Sequence, residues 1–238
     1  MANATVETYA SRLEEALPAL RARIADAARG SGRSVDAVRL VAVTKSHPLE
    51  ALEAALAAGL TELGENRVEE LEGKVAALGR DTATWHMIGH LQSRKARRAS
   101  ELADLIHSVD TPKLAEKLSR AGEEQGIRVA VLAQVNTSGE GSKSGFEGLG
   151  AVEEIHRIAE LPGLRVDGLM TMAPFVGDES VLAHAFAGLR TLSERLVAAT
   201  DRVGPTLSMG MTNDLEVAIR EGSTMVRIGT ALFGERAR

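Results

Sequence analysis

The sequence predicts an α/β fold, a (β/α)8 TIM barrel with one extra helix in front. Three observations predict it. Eight short β-like runs recur along the chain, and amphipathic helical patterns lie between them, which is the signature of βαβ units around a parallel sheet. The turn after the first run reads Thr44-Lys45-Ser46-His47-Pro48, without the G-x-G-x-x-G of an open dinucleotide-binding sheet, the main competitor.

The elements follow in order. Leu13, Leu17, Leu20 and Ile24 recur at helical spacing within 4–29, and Gly30 is the expected stop of this leading helix. The pattern then changes to alternation. Strands are expected at 38–45, 61–65, 85–90, 105–109, 128–136, 164–172, 206–209 and 225–229. The clearest helices are expected at 48–58, 67–78, 112–125, 150–160, 181–200 and 215–220. Pro48 opens the first of these and Gly59 follows it; Thr111-Pro112 opens another, and Asn213-Asp214 is expected to cap the last. No linker rich in Pro, Ser or charge divides the chain. Residues 1–238 therefore read as a single barrel domain, with 1–30 as a helix packed on it.

Composition bounds the function. At 238 residues with 44% apolar content, the chain can bury a substantial core. A net charge of -5 and a pI near 5.8 argue against a general nucleic-acid or anionic-membrane surface. Cysteine is absent, which excludes disulfides, thiol nucleophiles and cysteine metal sites, and is compatible with a cytosolic origin. The N-terminus carries Glu7, Glu14 and Glu15 on a helical pattern, unlike a secretory signal, and no apolar stretch is long enough to cross a bilayer. The expectation is a cytoplasmic protein.

In such a barrel the chemistry sits at the C-terminal ends of the strands. Those ends read Lys45, Asn66, His90, Asp110, Asn136, Thr171-Met172, Ser208 and Gly229-Thr230. Strand ends are polar wherever they meet solvent, so the list alone marks no site. Lys45 shares a strand face with Val41 and Val43, an apolar setting that lowers a lysine pKa and frees its lone pair for an aldehyde. A lysine snorkelling at a strand end is the plain alternative. The loops after the last two strands carry Ser208-Met209-Gly210-Met211 and Gly229-Thr230, each with a hydroxyl and a glycine that lets backbone N–H groups approach an anion. Arg227 faces the same side as Gly229 and either neutralises a carboxylate such as Glu65 or meets a ligand. His86 and His90, on one strand face without a nearby carboxylate, make a poor metal site. The basic run 94–98 reads as a solvated helix face, and the glycine-rich segment 138–150, which fails the P-loop pattern, reads as a mobile loop over the mouth.

Five blocks together resemble the YggS/PROSC family of pyridoxal 5'-phosphate (PLP) binding proteins: Ala42-Val43-Thr44-Lys45, Gly64-Glu65-Asn66-Arg67-Val68, the run from Trp85 to Ser93, Ser208-Met209-Gly210-Met211, and the run from Val226 to Gly234. The resemblance covers most of the chain and implies a PLP fold type III barrel related to the barrel domain of alanine racemase. It implies that Lys45 forms an internal aldimine with PLP, that Ser208, Gly229 and Thr230 contact the phosphate with Gly210 in their loop, that Arg227 faces the ring nitrogen or the phosphate, and that Asn66 lies near the cofactor. Where the family often has serine, this chain has Thr44 and Thr212, which keep the hydroxyl. Racemisation needs a second base on the far face of the cofactor, in alanine racemase a tyrosine from a further domain. Here Tyr9, in the leading helix, is the only tyrosine, and eight residues follow Thr230. The resemblance thus implies a monomeric carrier that buffers PLP or hands it to apo PLP-dependent enzymes, with no catalytic residue and no metal. A weak amino-acid racemase and a cofactor-free Schiff-base aldolase are the rivals.

Overall fold

The computed structural model describes residues 5–137, 144–147 and 150–235. The expected loop 138–150 lies outside the described residues apart from 144–147 and Gly150. The strands are β1 (Arg39–Val43), β2 (Glu62–Glu65), β3 (Thr84–Met87), β4 (Leu105–Val109), β5 (Val129–Gln134), β6 (Leu164–Met170), β7 (Val203–Ser208) and β8 (Met225–Ile228). All pair in parallel and in sequence order, and β8 returns to β1 through Val41 and Arg227, so the barrel is closed.

The helices are α1 (Val6–Gly30), α2 (Leu49–Ala57), α3 (Val68–Leu78), α4 (Ala96–Leu102), α5 (Pro112–Gln125), α6 (Ala151–Ala159), α7 (Glu179–Ala199), α8 (Leu215–Arg220) and α9 (Thr230–Phe233). Leu13, Leu17, Leu20 and Ile24 are all buried, so the predicted stripe of α1 is the face it lays on the barrel. Gly30 is the last residue of the helix, as expected. The cap is Ser31, whose N–H reaches Ala27 O and Ala28 O, followed by Gly32 at φ +70°. Asp214 occupies the position before α8 but does not cap it; its carboxylate turns back to the Met211 N–H at 2.5 Å. Helix α4 is missing from the predicted set because it is short and its apolar residues, Ala96, Ala99 and Leu102, lie among charges. Arg97 and Arg98 there are exposed and ion-paired to Glu101, Glu124 and Glu72, as a solvated face requires.

Most strands stop one to three residues short of their predicted C-terminal ends, and Lys45 lies beyond the end of β1 at the barrel mouth. Side-chain alternation then divides the sheet. Val41, Leu105, Leu132, Met170 and Met225 form a cluster inside the barrel, while Ala42, Leu63, Trp85, Leu169, Val226 and Ile228 belong to the larger core between sheet and helices. By the same alternation Arg227 points inward and Glu65 outward, so Arg227 cannot be Glu65's counter-ion. That partner is Lys74 of α3, whose Nζ lies 2.8 Å from Glu65 Oε1.

Candidate functional site

The site begins at the end of β1. Thr44 faces outward and is fully buried; its Oγ1 donates to Glu65 Oε1 at 2.5 Å, and its carbonyl accepts from Lys74 Nζ at 2.8 Å and from the His47 N–H at 3.0 Å. Three polar groups thus clamp the residue before Lys45. Ser46, the residue after it, has φ +62°, the only positive φ among the described non-glycine residues, and its N–H is held by Glu70 Oε2 at 3.0 Å. A serine in that region costs on the order of 1 kcal/mol. The turn it makes lets α2 start at once and leaves Lys45 at the mouth.

Lys45, Asn66, Arg227, Gly229 and Thr230 all line one cavity of about 250 Å³ at the mouth, close to the ~300 Å³ lower bound usual for small-molecule sites. Asn66 follows Glu65, so the same buried clamp fixes it. Gly89 leaves it room: a Cβ there would stand 2.5 Å from Asn66 Oδ1 and against its carbonyl. Gly210, at φ +99°, makes the turn that brings Met211 and Thr212 to the cavity wall, and a Cβ on it would press on Ala218 Cβ at 2.7 Å.

Arg227 is buried to 5% exposure. Its Nη1 donates to Ser208 O at 2.7 Å and Ser208 Oγ at 2.6 Å, and its Nη2 donates to Thr171 O at 3.0 Å. Among the described residues no carboxylate lies at ion-pair distance from it. Burial pulls its pKa down to about 10, against a smaller upward pull from Asp214, and the group stays charged at neutral pH. Asp214 itself, on the cavity wall, is raised by burial. A buried cation held only by neutral oxygens, with two of its five N–H groups left over, suits an acceptor-bearing ligand.

Two expected residues stand elsewhere. Ser208 is fully buried one layer below the cavity, its Oγ bonded to Arg227 and, at 2.9 Å, to His107 Nδ1; Gly210 shapes the wall from behind. His86 and His90 do not share a strand face, because β3 ends at Met87: His86 is inside the barrel and His90, exposed, meets Asp110 at 3.1 Å. No group of metal-ligating side chains occurs among the described residues. Asn136 donates to Glu147 Oε2 at 3.1 Å and lies outside the cavity wall.

The structure adds residues that the sequence did not flag. His47 lines the cavity, with its Nδ1 3.2 Å from Tyr9 OH. Its place two residues after Lys45 was a usable signal. Met172, already among the strand ends, forms an apolar rim with Phe175, which is 93% exposed and which nothing in the sequence pattern announces.

Residues 16–237 match the family described as alanine racemase, N-terminal domain. The Pseudomonas aeruginosa pyridoxal phosphate homeostasis protein is 44% identical over 228 residues, covering 95% of this chain and 96% of its own. Among solved structures, PipY of Synechococcus elongatus with PLP bound superposes at a TM-score of 0.77 and 38% identity, over 83% of this chain and 93% of PipY. An alanine racemase of Clostridium difficile shares the fold at a TM-score of 0.77 and 15% identity, over 96% of this chain and 58% of the racemase.

Proposed function

The chain belongs to the pyridoxal phosphate homeostasis family, built on the alanine racemase N-terminal domain, and from that membership we propose that it binds PLP with Lys45 as the amine that holds the aldehyde, and keeps or delivers it for PLP-dependent enzymes. The observation that carries this reading is the meeting in one cavity of Lys45, the Gly229-Thr230 turn and a buried Arg227 that has no carboxylate at ion-pair distance among the described residues. PLP supplies an aldehyde reactive toward amines, a phosphate and a pyridine ring that acts as an electron sink when its nitrogen is protonated.

Each residue has a task that its placement suits. Lys45 offers the amine from a strand end that Thr44, Glu65 and Lys74 hold rigid. Gly229 and Thr230, where β8 passes into α9, suit the phosphate, with Gly210 setting the neighbouring wall. Arg227, deeper than these, suits the ring nitrogen. As a permanent donor it would leave that nitrogen unprotonated, and so favour holding the cofactor over turning over amino acids. Ser208, bonded to Arg227, serves by fixing the guanidinium instead of touching the phosphate. Asn66 borders the ligand. Tyr9 is already committed to His47, which further weakens the racemase reading. The reading is of one barrel domain over 1–238, working as a monomer in the cytoplasm with apo PLP-dependent enzymes as recipients. Among the described residues no helix is long and apolar enough to cross a membrane.

Incubation with PLP is expected to give a visible absorbance band, and borohydride followed by mass mapping is expected to place the adduct on Lys45. Lys45→Ala should lose both. A full band in Lys45→Ala, or an adduct on a different lysine, overturns the assignment.

A further inference from the structure

A row of polar side chains runs down the interior of the barrel, away from the cavity. Arg227 Nη1 lies 2.6 Å from Ser208 Oγ, Ser208 Oγ 2.9 Å from His107 Nδ1, and His107 Nε2 2.9 Å from His86 Nδ1. His86 Nε2 ends the row 2.9 Å from Glu62 Oε2, within ion-pair distance though not aligned as a hydrogen bond. His86, His107 and Ser208 are fully buried.

The order of hydrogens along this row follows from one end. A guanidinium can only donate, so Ser208 Oγ accepts from Arg227 and has a single hydrogen left to give. Among the described residues His107 Nδ1 is the one acceptor within hydrogen-bond distance of Ser208 Oγ, so that hydrogen goes to Nδ1, which then carries none. In a neutral ring the hydrogen is then on Nε2, and it goes to His86 Nδ1. His86 in turn carries its hydrogen on Nε2, facing Glu62. Burial, then the nearness of His86 and of Arg227, push His107 well below the usual histidine range, which keeps the ring neutral as the order requires. At the far end burial would raise Glu62, but His86 and Arg39 outweigh it and hold the carboxyl below its ordinary value, so it is ionised and accepts.

We propose that His107, backed by His86 and Glu62, is a positioning residue for the cofactor cavity: it takes the Ser208 hydroxyl hydrogen and so locks Ser208 as the acceptor that aims Arg227. Without that acceptor, the Ser208 hydrogen would compete with Arg227 for the same space, and the guanidinium would lose one of the bonds that orient its two remaining N–H groups. This inference rests on the PLP reading for its consequence, but the hydrogen order itself is a property of the protein alone.

Two measurements test it separately. Nitrogen-15 NMR of histidine-labelled protein without cofactor is expected to show both His107 and His86 as the Nε2–H tautomer at neutral pH. A hydrogen on His107 Nδ1, or a doubly protonated His107, overturns the proposal whatever PLP does. For the consequence, His107→Leu removes the acceptor, whereas His107→Asn puts a carbonyl oxygen close to the position of Nδ1. PLP affinity, read from the absorbance titration, should fall about tenfold in His107→Leu, the effect of one lost hydrogen bond, and stay within about threefold of the parent in His107→Asn. Equal losses in the two variants, or none in either, refute the positioning role. Failure of the unaltered protein to bind PLP would refute the cofactor reading and leave the tautomer result to decide the hydrogen order.

Discussion

Lys74→Met should destabilise the protein by about 3–5 kcal/mol at neutral pH, the usual cost of stranding one member of a buried ion pair. Lys74 and Glu65 are 2.8 Å apart with side chains 9% and 0% exposed, and Glu65 Oε1 also receives the Thr44 hydroxyl while its Oε2 has no partner. Methionine matches the lysine stem in length, so the loss isolates the charge. The pH dependence has a definite sign. Burial raises the Glu65 carboxyl above its ordinary value, with Lys74 the largest opposing influence. Because the folded protein binds this proton more tightly than the unfolded chain, ionising Glu65 lowers stability as pH rises from the ordinary glutamate range through the raised value. Removing Lys74 pushes the carboxyl higher still and widens that window. The variant's deficit should therefore shrink as pH falls, and adding Glu65→Gln should recover part of it at neutral pH. Urea unfolding at pH 5 and pH 8 reads both effects; a deficit below about 1 kcal/mol, or one equal at the two pH values, would show that the pair is solvated.

The Lys74–Glu65 pair also shows where sequence reading stopped. The barrel was legible because period-2 runs alternating with period-3.6 helices leave few other ways to bury both sets of apolar residues; the strand-end rule then picked out Lys45, Asn66, Gly229 and Thr230, and strand alternation added Arg227, all of which line one mouth. What it missed are pairings between elements far apart in the chain. Lys74 sits in the Leu71, Lys74, Leu78 stripe of α3, a place where the helical period demands a buried side chain, so its burial was readable but its partner was not. The direction of the Ser208 hydroxyl was hidden for a related reason: a strand-end hydroxyl can turn toward the mouth or toward the barrel axis, and its partner His107 lies about a hundred residues away in the chain. Of the apolar rim, Met172 stood in the strand-end list, but Phe175 left no trace because an exposed apolar loop has no period.

Arg227→Met should weaken PLP binding by about ten- to a hundredfold while changing stability little, and the contrast between the two is what identifies the residue. On the stability side, the drop of the guanidinium to about 10 corresponds to roughly 3 kcal/mol spent on keeping it charged in the barrel, which methionine recovers. Against this, Ser208 O, Ser208 Oγ and Thr171 O lose their donor, at about 1–2 kcal/mol for each acceptor left buried. The opposing amounts overlap, so the net change should stay within about 3 kcal/mol. On the binding side nothing cancels. The one charge-assisted bond that a ring nitrogen can take from the remaining N–H groups is worth about 1.5–3 kcal/mol, which corresponds to a loss of about ten- to a hundredfold. Lys45 is untouched, so the visible band should still form at high PLP and titrate at a much higher midpoint. Calorimetric melting beside the absorbance titration separates the outcomes. An arginine kept for the fold would cost several kcal/mol when replaced and leave the midpoint where it was. One kept for a ligand should melt close to the parent and bind poorly, because its charge is a standing cost that Asp214 offsets only in part and that an incoming acceptor can use.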